Sequence, residues 1–271
     1  MSFRMAKELL SRYENLYLLC KSIELVTILT LQIFKNKIAS SRKIIKLLFC
    51  YFKDIYTKNY IDLNHLIVPF LTDKSCSGII NNSLWSNIKE VLTLLSYQNI
   101  IVKIFGTSMK FKNNIKNSSY IQSVIGNLYN LSDETVNFYV SFILFKEIIF
   151  LDNNYFYFYF NEYINLYYQV VSYYLLRSLN EFISIFFLNE CTFSLVDFYI
   201  ILHIYFFFVS VLLLDVIEFN MYSELGSRAC SMTNSIKNLK DNVKHYTLIY
   251  NRFRQSKITN EIIEIISSSN I

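Results

Sequence analysis

The stretch "SELGSRACSMTNSIKNLKDNVKHYTLIYNRFRQSKITNEIIEIISSS" (residues 223–269) decides how the chain is built. Leu225, Ala229, Met232, Ile236, Leu239, Val243, Tyr246, Tyr250 and Phe253 recur at alternating steps of four and three. A seven-residue apolar repeat held over four cycles is the pattern of one helix packed along another. Arg228, Lys237, Lys240, Asp241, Lys244, Arg252 and Arg254 fall between these positions and supply solvated faces. No glycine or proline follows Gly226. Roughly 44 helical residues at ~1.5 Å each make a rod of about 66 Å, and such a rod needs a partner.

Working outward, the first sixty residues contain no glycine or proline and can form that partner. Across residues 16–34 apolar side chains lie on nearly every face, which marks a helix enclosed by lipid or by protein. Lys21, Glu24 and Gln32 interrupt the run and favour a protein sleeve, because charge within a bilayer is costly. The middle of the chain changes period. "HLIVPFLTD" (65–73) reads as a buried strand entering the loop "TDKSCSGIINN". Residues 83–99 read as a helix, and 100–105 as a strand stopped by Gly106. Ser132 is placed to cap a helix reaching about residue 150, with Asp133 and Glu134 in its first turn. Residues 154–176 read as one or two strands. Strand and helix in alternation predict an α/β layer fold with a parallel sheet. Residues 198–214, "FYIILHIYFFFVSVLLL", reach only the lower edge of a membrane span. They run without a breaker into the heptads, so they are expected to form the base of the same long helix, buried against the sheet.

A chain of 271 residues, 53% hydrophobic, suggests one domain with extensions or two small domains. A net charge of +5 is too mild for a nucleic-acid binder. Charge is unevenly placed. Residues 1–60 carry eleven basic and four acidic side chains, and residues 220–271 seven and four, which leaves an acidic middle. Ends and middle therefore face different neighbours. With Tyr 22, Phe 24, Gly 4 and Pro 1, the composition is that of a chain drifted under A+T pressure. Cys20, Cys50, Cys76, Cys191 and Cys230 are scattered without a C-x-x-C and read as free thiols. His65, His203 and His245 stand far apart, so no metal site is expected. The start has no signal-peptide order, and translation is expected to begin at Met1 in the compartment of use. There is no G-x-x-x-x-G-K-[ST] loop and no G-x-S-x-G elbow; Asp73 and Asp152 near strand ends read as caps or turn formers. Neither an autonomous catalyst nor a bound cofactor is expected.

The two ends carry a resemblance. Ser223, Glu224, Arg228 and Met232, followed by Tyr250, Asn251, Arg254, Gln255, Ile258, Thr259, Glu261, Ile262, Glu264 and Ile265, resemble the C-terminal signature of the gamma subunit of the F-type ATP synthase. "NLYLLCKSIELV" (15–26) is similar to the family's N-terminal helix at Asn15, Lys21 and Val26, with Ile23 and Leu25 conservative and Leu18 in place of a lysine. "SSRK" (40–43) resembles the family's Ala-Ser-Arg-Pro. Residues 72–78, followed by Asn82, resemble its Thr-Asp-Arg-Gly-Leu-Cys-Gly-Gly loop with one deletion and fewer glycines.

The resemblance implies an antiparallel coiled coil of long terminal helices plus a central α/β, Rossmann-like domain, divided as 1–60, 61–195 and 196–271. It implies a rotating central stalk inside a ring of three alpha and three beta subunits, resting on the epsilon subunit and the c-ring. Proton-driven rotation would be coupled to ATP synthesis on beta, so this chain itself would be non-catalytic. Carried over by motif, Ile23, Arg228, Arg254, Gln255, Thr259 and Glu261 are the expected contacts to beta. Membrane association would come through the complex, at the cytoplasmic face of a bacterial inner membrane rather than an organelle's. The alternative is a small membrane-anchored protein held by residues 198–214.

Overall fold

A computed structural model describes residues 3–52, 64–98, 100–116, 119–128, 138–149, 151, 155–180, 182–183 and 195–269, with side chains up to residue 36 in the first helix and from residue 198 in the last. The elements are α1 (Phe3–Phe52), β1 (His65–Pro69), α2 (Ile80–Tyr97), β2 (Val102–Gly106), α3 (Met109–Lys116), a 3-10 turn (Ser119–Ser123), β3 (Val124–Asn127), α4 (Phe138–Ile149), β4 (Tyr155–Asn165), β5 (Tyr168–Arg177) and α5 (Leu195–Ser269). Two compact units result. One combines Met1–Leu29 with Arg228–Ile271, and the other is Thr30–Ser227.

The larger unit holds one five-stranded sheet in the order β3-β2-β1-β4-β5. β1 pairs in parallel with β2 and with β4, and β2 with β3, whereas β4 and β5 are antiparallel. The sheet is therefore mixed, which corrects the parallel expectation. Only Leu166 and Tyr167 separate β4 from β5, and a parallel return needs a crossover of a dozen or more residues. Asn165 fixes the turn: its side-chain oxygen accepts from the amides of Tyr167 (3.0 Å) and Tyr168 (2.8 Å).

Alternation along the strands sorts the core into two layers. Leu66 and Val68 of β1 and Phe156, Phe158 and Phe160 of β4 face a layer completed by Leu144, Phe145 and Ile148 of α4 and by Tyr205, Val209, Leu213 and Val216 of α5. Ile67, Ile104 and Tyr159 face the other layer with Leu84, Trp85 and Ile88 of α2 and Phe111 and Ile115 of α3. One side of the apolar run at 198–214 packs on the core through Ile201, Tyr205, Phe208, Val209, Leu212 and Leu213, while Tyr199, Ile200, Ile204 and Phe207 on the other side are exposed. Several polar groups there are matched. Tyr205 donates to the carbonyl of Arg177 at 2.7 Å, and its burial pushes the phenol above the usual range. Tyr174 donates to Asp215 Oδ2 at 3.1 Å. Asn220 Oδ1 accepts from both the amide and the side chain of Asn161 at 3.3 Å.

Two elements inside the polar stretch after Gly106 went unforeseen: the short helix α3 and the edge strand β3. The helix at 83–99 begins earlier, at Ile80. The capping group Ser132, Asp133 and Glu134, along with Asp152 and the side chains of residues 40–43, lies outside the described residues.

The loop after β1 is pinned from three sides. Asn81 donates to the Thr72 carbonyl at 2.9 Å and accepts the Thr72 amide at 3.0 Å, closing a two-way clamp. This role falls to Asn81, which is buried, and not to Asn82, which is exposed. Lys110 Nζ donates to the Lys74 carbonyl at 2.6 Å, and the Lys110 amide to Asp73 Oδ1 at 3.1 Å. Ser227 of α5 donates to the Ser77 carbonyl at 2.7 Å. Within that frame Cys76 takes φ 59° and Gly78 φ 64°. A Cβ on Gly78 would stand 2.5 Å from Ser227 Oγ, so helix contact and backbone hand both require glycine there. Asn81→Ala strands a buried amide and carbonyl, and should destabilise the chain by about 2–4 kcal/mol in urea unfolding, with Asn82→Ala within ~0.5 kcal/mol of wild type.

Candidate functional site

In the smaller unit α1 and α5 run antiparallel, and aromatic pairs mark the register. Phe3 stacks on Tyr250 with ring centroids 5.2 Å apart, and Tyr13 on Tyr246 at 4.9 Å. Lys257 Nζ lies 5.6 Å from the Phe3 ring centre, within reach of its π face. Hydrogen bonding to Tyr13 holds the Tyr246 phenol above its ordinary pKa.

All nine heptad residues of α5, from Leu225 to Phe253, are buried or half-buried. Between them Lys237, Lys240, Asp241, Lys244 and Arg252 are exposed. Inward positions of α1 keep the same steps: Ala6, Leu10, Tyr13, Tyr17, Cys20, Glu24 and Thr27 are all buried or half-buried. Glu14, Tyr17, Leu18, Lys240 and Val243 line an open groove of about 440 Å³ along the pair.

Past Phe253 the seam ends for a reason visible in the repeat. Its next positions are Lys257, Asn260, Glu264 and Ser267, all polar. The apolar stripe moves one residue round the helix, to Ile258, Ile262 and Ile265, which are 47%, 50% and 67% exposed. Every residue from Arg254 to Ser268 is exposed. α5 thus leaves the pair as a single helical tip with isoleucines facing outward. Gln255 and Thr259 share one flank, joined through the Thr259 hydroxyl donating to the Gln255 carbonyl at 2.9 Å. Arg254 and Glu261 share the other, and Glu261 meets Lys257 at 3.6 Å.

The structure gathers Arg254, Gln255, Thr259 and Glu261 on this tip. It does not bring Ile23 or Arg228 to them: twenty-six residues of helix separate Arg228 from Arg254, about 39 Å. Ile23 is exposed on α1 and Arg228 half-buried on α5. The expected contacts therefore occupy two levels of one shaft. Sequence reading missed the polarity of the α1 seam. The steps of four and three were present, but Glu24 and Thr27 do not read as apolar.

A helix pair whose one member outruns the other is the frame of a shaft, and comparison with known proteins fits that geometry. The sequence model described as ATP synthase (ATP-synt) matches residues 4–270. The chain belongs to the ATP synthase gamma family. Among relatives, the ATP synthase gamma chain of Methylobacterium sp. (strain 4-46) is 48% identical over 50 residues, 18% of this chain and 17% of that one. That of Caulobacter vibrioides is 43% identical over 61 residues, 22% and 21%. Each match to these gamma chains thus spans about a fifth of their length. The gamma-family fold extends much further. A chain of the Euglena gracilis mitochondrial ATP synthase, OSCP/F1/c-ring, superposes with TM-score 0.74 at 14% identity, covering 99% of this chain and 93% of that one. A chain of the Tetrahymena thermophila mitochondrial ATP synthase, central stalk/c-ring, gives 0.64 at 15%, covering 80% and 99%.

If the aromatic pairs hold the gamma-family shaft together at its end, Tyr250→Ala should weaken the pairing by about 1–2 kcal/mol. Amide exchange across residues 3–13 would quicken. Ile262→Ala, beyond the paired region, should leave that exchange unchanged.

Proposed function

We propose that the chain is the rotating central-stalk (gamma) subunit of a proton-translocating F-type ATP synthase, coupling rotation of the c-ring to ATP synthesis at the beta subunits. The observation that carries this reading is the abrupt end of the seam at Phe253. A helix pair ends in a single tip whose apolar stripe has left the pairing face. Such an exposed apolar stripe marks an interaction surface, and enclosure by partner subunits would cover it.

On this reading the paired segment transmits torque, and the tip turns within a ring of three alpha and three beta subunits. The two helices present different side chains at every height, so each beta subunit would meet a different face as the shaft turns. Arg254, Gln255, Thr259 and Glu261 are the proposed tip contacts to beta, with Ile23 and Arg228 the proposed contacts further down the shaft. Charged and amide ends suit a bearing that grips and releases, since exposed pairs are worth only about 0–1 kcal/mol. The sheet-containing unit is the proposed seat for the epsilon subunit and the c-ring. Membrane association follows from the complex, at the cytoplasmic face of a bacterial inner membrane. Bond making and breaking belong to beta; this chain supplies motion and no catalytic group.

Arg254→Ala and Gln255→Ala, singly and together, test the tip. Each should lower ATP synthesis by the assembled complex about threefold or more, equal to ~0.65 kcal/mol per contact. Helix content of the chain should stay at the wild-type value, because both side chains are exposed. A double variant with full synthesis and full yield of complex removes these residues from the coupling surface.

A further inference from the structure

The apolar run of the α5 seam ends at Phe253, yet the next seam position still touches α1. Lys257 falls four residues on, and its ammonium lies 5.6 Å from the centre of the Phe3 ring. The same ring stacks on Tyr250 at 5.2 Å. Two seam residues a heptad apart, about 10.5 Å of helix, thus hold one side chain. Phe3 is half-buried where it meets them. On the opening turns of α1 the carboxylate of Glu8 is engaged by Arg4 at 3.2 Å. Among the described residues of α1, Lys257 is met by a ring and not by a carboxylate. Its second partner lies ahead: Glu261, one turn further along the tip, at 3.6 Å.

The chemistry of the side chain decides what it does there. A leucine at a seam position would cover more apolar area, whereas a polar residue costs stability and fixes how two helices meet. Lysine combines an aliphatic stem, which lies along a pairing face, with a cation that stays in water. That cation grips an aromatic face and a carboxylate at once, which neither leucine nor glutamine can do. The contacts therefore run in a line from the seam to the tip: Tyr250, Phe3, Lys257, Glu261. We infer that Lys257 is a positioning residue, a latch that ties the start of α1 to the base of the tip and steadies Glu261. A load applied to the tip is then carried by both helices.

The latch belongs to the chain alone; its use in coupling rests on the proposed rotor role and deepens it at Glu261. In the isolated full chain, Lys257→Met keeps the stem and removes the charge. Amide exchange over residues 7–10 should quicken about two- to fivefold, the weight of one exposed cation–π contact. Lys257→Arg should restore the wild-type rate, and Lys244→Met, at an exposed lysine outside the seam, should leave it unmoved. In a Phe3→Leu chain, adding Lys257→Met should quicken exchange no further, because the partner ring is gone. In the assembled complex, Lys257→Met should lower ATP synthesis about twofold or more at unchanged yield and unchanged ATP hydrolysis. A loss of folding would not produce that split. Wild-type exchange in Lys257→Met overturns the inference, as do equal quickening in Lys257→Arg, full additivity with Phe3→Leu, or unchanged synthesis at quickened exchange. Failure of the wild-type chain to co-purify with alpha and beta removes the rotor reading, and the exchange measurements still decide the latch.

Discussion

Everything in the smaller unit depends on the lateral contact between α1 and α5. α5 is a single helix of 75 residues. Beyond the sheet-covered segment, no intrinsic propensity gives such a helix a defined direction, because isolated helices bend and fray. Steps of four and three along both helices place side chains at matching heights, and flat rings at Phe3, Tyr13, Tyr246 and Tyr250 fill them by stacking. Large rings at a seam cover much area with few rotatable bonds, so the pair is held at low entropic cost. Where the heptad positions turn to Lys257, Asn260, Glu264 and Ser267 the contact ends, and the exposed tip begins there.

The same helix is used differently in the larger unit. There its residues up to Ser227 lie against the sheet, with Tyr205, Val209, Leu213 and Val216 in one core layer. Small residues mark the closest approaches. A Cβ at Gly226 would fall 2.2 Å from the Tyr163 ring. One residue on, the Ser227 hydroxyl reaches the loop after β1. Asn81, Lys110 and Ser227 hold the backbone of the loop after β1 directly. Cys76 accepts a left-handed conformation as part of that frame, a cost of order 1–3 kcal/mol for a residue with a side chain.

Much of this was legible from residues alone, and the failures have physical causes. The α5 seam could be read because its heptad positions are apolar from Leu225 to Phe253. The matching α1 seam could not, because Glu24 and Thr27 occupy part of it while leucines crowd the outside. The segment's all-round apolar character pointed to enclosure, whereas here Leu18, Leu19, Ile23, Leu25, Val26 and Leu29 stand 42–62% exposed, and it did not show which side faced α5. Both α3, eight residues long, and β3, four, are too short to show a period, and they form because sheet and helix neighbours complete them. The β4–β5 reversal turns on Asn165, which carries no glycine-containing hairpin signature. The tip residues were named by family resemblance. Physics alone reads from them only that pairing stops at Phe253.

The central claim is that the paired helices turn as one shaft within a ring. Its most direct test attaches a visible probe through a cysteine in the sheet-containing unit and fixes the alpha and beta subunits to a surface. With ATP added, the probe should revolve in one direction, pausing three times per turn, once for each beta subunit. A complex that hydrolyses ATP at a normal rate while the chain stays still would contradict it.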